Sequence, residues 1–440
     1  MARMISTQTQ EDIKTSFSDL LLHVHPRRLP AQALALTRTW GLGGMAALLL
    51  MLQFLSGLLL LFVYQPSPVT AYDSILALQQ RVLFGGFVRN IHHWSANVLV
   101  MIAFFHMLRV FYTGAFHAHR RFNWVIGLCL MTLVLGANFT GYLLPWDQLA
   151  YWAVTICTGM MDYVPGAGHY LQQMLRGGTE VGQATLSNFF VIHVMVLPTA
   201  FLMLLPVHFW RIRKAGGVTL GHSADQGAPA PHKWAPVFPE LVLREVVAGL
   251  VLTAAIFILS ALFDAPLHAR ANPGLSPNPT KPPWYFAAFQ ELLIHVHPVV
   301  VILVIPAICI AGLVALPYLR YEADTAGIWF CSATGRKTAW LAVGLSSIFV
   351  PVTVFLDEHM LTSVHTSQAM TNPIYRGIIP LIVIFGMLFG LIVWLRKRCH
   401  ASRNEVMQSV FTLFLTTIML LTLVGALFRG PDMKLGWWWG

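Results

Sequence analysis

Apolar residues in this chain gather into long uninterrupted blocks rather than alternating with polar ones. A helix crossing the hydrocarbon core of a bilayer needs about 20 such residues, and nine stretches approach that length: 42–64, 90–113, 124–144, 189–210, 243–264, 297–319, 338–356, 375–396 and 406–428. Within lipid, a helix satisfies its own backbone donors and acceptors, so each block is predicted to be a spanning helix. Residues 216–242, rich in Gly, Pro and Ala, form the clearest break. They separate a four-helix unit (42–215) from a second unit of about five helices.

Composition agrees with this pattern. The chain is 56% hydrophobic and 10% charged, where a soluble domain carries about 25% charged residues. The expected fold class is an all-α integral membrane protein. A net charge of +10 needs no nucleic acid to explain it. If the N-terminus is cytoplasmic, 18 Lys and Arg fall in loops on its side and 8 on the opposite side, the bias expected of cytoplasmic loops. An odd number of spans then puts the C-terminus outside, with GWWWG as an interfacial aromatic anchor. Residues 1–41 read as a cytoplasmic lead-in without an early apolar signal core. Within it, Glu11–Val24 is loosely amphipathic, and His23 and His25 read as solvated. The five cysteines form no CxxC or CxxCH motif, which leaves structural zinc, iron–sulfur ligation and ordinary c-type heme attachment without support.

Four histidines change the picture from a generic membrane protein to a candidate redox protein. His92 and His106 lie 14 residues apart on the second block, and His193 and His208 lie 15 apart on the fourth. Those spacings turn a helix by about 1400° and 1500°, so each pair falls near one face, with a rise of roughly 21 to 23 Å. Ionisable groups within spanning segments are costly and usually functional. Two such helices side by side can clamp two hemes, one above the other. With both axial positions filled by imidazole, a heme suits electron transfer rather than oxygen chemistry. Gly43 and Gly57 on the first block, and Gly127 and Gly141 on the third, repeat the 14-residue spacing. Glycine lets a flat macrocycle approach the backbone; ordinary small-residue helix packing is the alternative. Arg89 and Arg109 each stand three residues from a histidine, placed to pair a propionate or to snorkel to the interface.

The segments RNIHHWSANVLVMIAFFHMLRVFYTGAF, TGYLLPWDQLAYWAVTICTG, LRGGTEVGQATLSNFFVIH and HFWRIRKAGG resemble cytochrome b of the quinol-oxidising bc1/b6f complexes, and most closely the b6 type, which has the 15-residue spacing. Residues 243–319, with PWYFAAFQ, are similar to the subunit IV that accompanies b6. The resemblance covers roughly residues 35 to 320. It implies a four-helix diheme bundle (42–215) and a quinone-site region (243–319), followed by additional helices (320–440). It implies two heme b groups held by His92 with His193 on the outer side and by His106 with His208 on the cytoplasmic side. Arg89 and Arg109 would be propionate partners. Quinol would be oxidised at the outer side, between Pro145–Tyr163 and Pro282–Gln290, where Trp284, Tyr285 and Asp147 stand. A second quinone pocket would lie near Arg213 and Lys214. The implied partners are a Rieske iron–sulfur protein, a c-type cytochrome, other membrane subunits and a second copy in a homodimer.

Two departures stand out. The family's Pro-Glu-Trp-Tyr carries a carboxylate that accepts a proton from quinol; here the run is Pro282-Pro283-Trp284-Tyr285, and proline has no such group. Glu291, about two helical turns on, is the candidate substitute, with His295 beside it; an ion pair with Arg is its alternative. Gly41 stands where the b6 type carries a cysteine for an extra heme, so no covalent heme is expected. Asp357, Glu358, His359 and His365 suggest a solvated loop that docks a partner, and the last helix is expected to bind neighbouring subunits or anchor the chain end. The function expected is transfer of electrons from quinol across the membrane with proton translocation. A Rieske-free diheme anchor exchanging electrons between another redox enzyme and the quinone pool is the alternative.

Overall fold

The computed structural model describes residues 27–219, 233–322, 327–361 and 373–436. Among these residues, nine helices are long and apolar enough to span a membrane: α1 (Leu42–Leu61), α2 (Gly85–Tyr112), α3 (Ala118–Leu143), α4 (Gln183–Lys214), α5 (Val237–Leu262), α6 (Val300–Tyr318), α7 (Ala333–His359), α8 (Ile374–Arg398) and α9 (Arg403–Phe428). They answer the nine apolar blocks one for one. Most run past the block ends, because polar residues extend a helix by capping it. At the start of α4 the Gly182 amide donates to the Thr185 hydroxyl. Its last turn holds Arg211, Arg213 and Lys214, cations that favour the carbonyl end of a helix.

The first four spans form a bundle in which α1 packs along α2, α3 packs against α4, and α5 covers α2. Its central core is Leu49, Leu99, Val100, Val134, Phe201 and Ile256. Contacts of Gly43 with His106 and of Gly57 with His92 show that α1 and α2 are antiparallel; the two ends of the bundle are called the Gly43 end and the Gly57 end below. Short helices at Ala71–Arg81, Gln148–Gly159, Gly168–Arg176 and Ala287–His295 lie between spans. The apolar-block pattern does not reveal them, since they are too short to span. Asp147 starts one of them by accepting the Ala150 amide at 2.9 Å.

Three spans carry a widened π turn directly before a proline: Ile192–Val196 before Pro198, Val300–Val304 before Pro306, and Ile374–Ile378 before Pro380. Proline removes a backbone donor and crowds the preceding turn, and an inserted residue relieves that crowding as a π-bulge.

Two contacts tie the periphery to the bundle. Arg28–Pro30 pairs antiparallel with Trp234–Pro236, so the end of the lead-in is stitched to the end of the linker. Glu11–Val24, with His23 and His25, lies outside the described residues, as do His365 and the three tryptophans of the tail. The last helix also packs within the chain. α9 packs along α7 and also against Ala287–His295, and its buried stripe Asn404, Glu405, Gln408, Ser409 and Thr412 faces inward. The Thr412 hydroxyl lies 2.9 Å from that of Tyr112 on α2, and Ser409 donates to Thr338 on α7 at 2.8 Å. Polar residues at helical spacing in a spanning segment mark a protein-facing side, which explains the placement.

Candidate functional site: two imidazole pairs

α2 and α4 bring the four histidines together as two pairs. The rings of His92 and His193 have centroids 6.2 Å apart with an interplanar angle of 75°. Those of His106 and His208 are 6.5 Å apart at 77°. Two imidazoles bonded to one metal at about 2.0–2.1 Å each have ring centres roughly 6.3 Å apart. Both gaps therefore fit a single iron held between trans imidazoles, and the donor set suits heme.

The four glycines stand where the spacing pattern put them, and each lies close to the edge of one imidazole. A Cβ on Gly57 would lie 3.3 Å from His92 Cε1, and one on Gly141 only 2.6 Å from His193 Cε1. At the other end, a Cβ on Gly43 would lie 3.3 Å from His106 Cε1 and one on Gly127 3.6 Å from His208 Cε1. Each glycine thus makes room for an imidazole edge; periodicity alone does not say which part of the assembly comes close.

A cavity surrounds each pair. The one at the Gly57 end, about 760 Å³, is lined by both glycines of that end, His92, His193 and Arg89. The one at the Gly43 end, about 330 Å³, is lined by Gly43, Gly127, His106, His208, Arg109 and Arg213.

Hydroxyl groups orient the imidazoles at the Gly57 end. Ser56 donates to the Leu52 carbonyl at 2.6 Å and meets His92 Nδ1 at 2.9 Å. Thr140 donates to the Gly136 carbonyl at 2.8 Å and meets His193 Nδ1 at 3.2 Å. With each hydroxyl proton committed to a carbonyl, the oxygen accepts from Nδ1–H. That leaves the Nε2 lone pair for a metal, the usual way an outer partner fixes a ligating histidine.

The arginines are more committed than their spacing suggests. Arg89 is buried and donates to the Ala265 and Pro266 carbonyls, both at 2.7 Å. It ties α2 to the segment after α5 while lining the cavity. Arg109 is buried and donates through Nε to Arg38 O at 2.9 Å.

Tyr285 and Trp284 line the Gly57-end cavity together with Pro283 and Asp147. The Trp284 indole donates to Asn97 Oδ1 at 2.9 Å. Asp147, read from sequence as a polar group near the substrate, is a scaffold residue. Its second oxygen accepts the His268 amide at 3.1 Å.

Glu291 is elsewhere. It is absent from the cavity lining and lies fully buried with Arg429, also fully buried. Arg429 Nη2 meets Glu291 Oε1 at 2.5 Å, and Nε donates to Oε2 at 3.0 Å. Arg429 Nη1 reaches Glu358 at 2.8 Å. His295 bridges Glu291 at 3.1 Å and Asp357 at 2.6 Å. Burial pushes the Glu291 carboxyl up, and bonds from His295 and Arg429 outweigh it, leaving it below its ordinary value. Burial pushes His295 down, and Asp357 and Glu291 outweigh it, leaving it raised. Asp357 and Glu358 are half-buried members of this network rather than a solvated loop. Arg429 escaped the sequence reading. Its signal is a lone arginine ending an apolar helix on the side where Glu291, Asp357 and Glu358 also fall.

The Cytochrome b/b6/petB family model matches residues 29–216. A cytochrome bc complex cytochrome b subunit from Chlorobaculum thiosulfatiphilum is 38% identical over 264 residues, covering 59% of this chain and 60% of that relative. The chain thus spans about three fifths of that protein's length. A cytochrome b6 from Synechococcus is 40% identical over 175 residues, covering 40% of this chain and 80% of the relative. A solved chain of a hyperthermophilic respiratory Complex III shares the fold, with a TM-score of 0.63 at 20% identity, over 88% of this chain and 92% of that one. A cytochrome b6 from Heliomicrobium gestii matches over 40% of this chain and 82% of its own length. At 43% identity over that span, the chain belongs to the cytochrome b/b6 family.

Proposed function

We propose that this chain is the diheme cytochrome b of a bc-type quinol oxidoreductase. The observation that carries the reading is the pair of cavities, each centred on two imidazoles at ring separations of 6.2 and 6.5 Å and each bordered by two glycines. His92 and His193 would hold one heme b, and His106 and His208 the other. Bound there, the two hemes supply one-electron carriers at successive depths of the membrane. The chain's own part is to fix the imidazoles, keep water out with apolar walls and present a flat aromatic-lined recess at Trp284 and Tyr285. Arg213, on the Gly43-end cavity, would face a second quinone. With the N-terminus cytoplasmic, quinol is oxidised on the outer side of an energy-transducing inner membrane. Protons are released there, and a Rieske protein and a c-type cytochrome take the other electron. The working unit is a homodimer with further membrane subunits.

The purified protein should contain two non-covalent hemes per chain, with a b-type reduced-minus-oxidised spectrum; a colourless protein would end the proposal. Steric differences among the glycines give a finer test. Gly141→Ala places a methyl 2.6 Å from the His193 ring, whereas Gly127→Ala makes only ordinary contact at 3.6 Å. Heme per polypeptide should fall in the first variant and stay near wild type in the second. Equal retention in both would count against the glycine role.

The replacement of a carboxylate by Pro283 supports a second reading, the Rieske-free anchor that trades electrons between another redox enzyme and quinone. An iron–sulfur signal in the purified complex separates the two.

A further inference from the structure

The Gly57-end cavity is lined by the His92–His193 pair, by Pro283, Trp284 and Tyr285, and by His268, which is exposed. If a hydroquinone is oxidised there, its hydroxyl protons need an acceptor, and most titratable groups on the lining are committed elsewhere. Both oxygens of Asp147 accept backbone amides, from Ala150 and His268. The Arg89 guanidinium is a donor held by carbonyls. His92 and His193 face each other across the ligand gap. His93 packs edge-on against Trp94, with Nε2 3.4 Å from the Asn97 amide nitrogen.

His268 differs. It is exposed, and its imidazole carries no bond among the described residues, while its backbone is fixed at both ends. Its amide donates to Asp147, and its carbonyl accepts the Tyr72 hydroxyl at 2.9 Å. The neighbouring Ala269 carbonyl accepts the Gln148 amide at 2.8 Å. The loop is therefore held while the ring is available at the cavity mouth.

We propose that His268 is the proton acceptor for a hydroquinone bound in this cavity, an inference that rests on the functional reading above. The hydroquinone O–H bond breaks with its electron pair left on oxygen, and an N–H bond forms on the imidazole. No electron moves in this step. The imidazolium, at the exposed mouth, then returns its proton to water. The charged groups around it are Asp147 beneath its amide, Arg89 through the Ala265 and Pro266 carbonyls, and Asp264 near Arg89. Arg270, two residues on, is paired with Asp73. Tyr142 and Tyr285 share the cavity.

The test uses the intact heme-loaded complex with its partner subunits and acceptor, comparing wild type with His268→Gln. Heme reduction by a short-chain benzohydroquinone should rise with pH through one ionisation in the wild type. The variant should lose that limb and at least about 100-fold in rate, the low end of what a positioned general base supplies. Its heme content and spectrum should not change. Independently of turnover, binding of a redox-inert phenolic quinol mimic, read by tryptophan quenching, should weaken at acid pH in the wild type and be pH-independent in the variant. An unchanged rate and an unchanged pH limb in the variant would overturn the assignment. If the wild type shows no quinol-driven reduction at all, the functional reading itself fails, and the binding titration still decides whether His268 meets the phenol.

Discussion

His193→Leu should halve the heme content of the proposed diheme chain, from two to one, while the helices stay folded. Leucine fills the space of the ring without offering a nitrogen, so the site would keep only one of the two imidazoles proposed to hold a heme. The His106–His208 pair occupies a separate cavity, bordered by a different pair of glycines, and should keep its heme. Electron transfer between the two ends should then fall below detection, because one of the two carriers is gone. A pyridine hemochrome assay per mole of polypeptide measures the first effect. Flash- or quinol-driven reduction of the remaining heme measures the second. The removal of a neighbouring hydroxyl is a smaller perturbation: Ser56→Ala should weaken heme affinity by about 10- to 100-fold, the usual cost of losing a partner that orients a ligand. Two hemes retained in His193→Leu would overturn the bis-histidine assignment at the Gly57 end.

The second large effect concerns stability. Arg429→Met should destabilise the folded chain by about 3–5 kcal/mol, because it strands a buried carboxylate without its cation. Arg429 and Glu291 are both fully buried, so water cannot take over the pairing. The double variant Arg429→Met with Glu291→Leu should recover much of that loss, since a well-packed apolar pair often equals a buried ion pair. Unfolding midpoints in mild detergent would read both, and no recovery in the double variant would show that the arginine acts through other partners such as Glu358. pH supplies a further check. Glu291 is held below its ordinary value, so its contribution is present above the ordinary carboxylate range and is lost as pH falls through its lowered pKa. His295 is held above its ordinary value, so its contribution is present below the ordinary histidine range and is lost as pH rises through its raised pKa. Stability from this network should therefore peak between the two and decline on both sides, and Arg429→Met should flatten the peak.

Which features could be read from the chain depended on how local their physics is. The nine spans were legible because each is an uninterrupted apolar run whose length matches the bilayer. The pairing of the four histidines was legible because His92 and His106, and His193 and His208, each share one helix, where spacing fixes phase. The glycines were legible as positions and less so as contacts: a 14-residue repeat says which face they share, not that an imidazole edge is the nearest atom. The Glu291–Arg429 pair was not legible as a pair. Its members are 138 residues apart, and only the packing of α9 beside Ala287–His295 brings them together. The inward stripe of α9 was present in the sequence as Asn404, Gln408 and Thr412. In an apolar helix such a stripe shows that one side is buried without saying against what. Pro283 leaves that position without a carboxylate, and the sequence pointed to Glu291, eight residues on. The imidazole proposed above for that role sits on the preceding loop, which Asp147 anchors.

The widened turn at Ile192–Val196 also resolves an inequality between the two ligand helices. Fifteen residues separate His193 from His208, but only 14 separate His92 from His106, a mismatch of about 100° in an ideal helix. A π-bulge absorbs one extra residue with little net rotation. The bulge spans His193 and is spent before His208, so the two helices point their imidazoles along matching directions despite unequal counts. Fourteen and fifteen are then the same interval measured on two different rulers. A member of this family that lacked both the bulge and Pro198 would need one residue fewer to keep its two imidazole pairs in the same register.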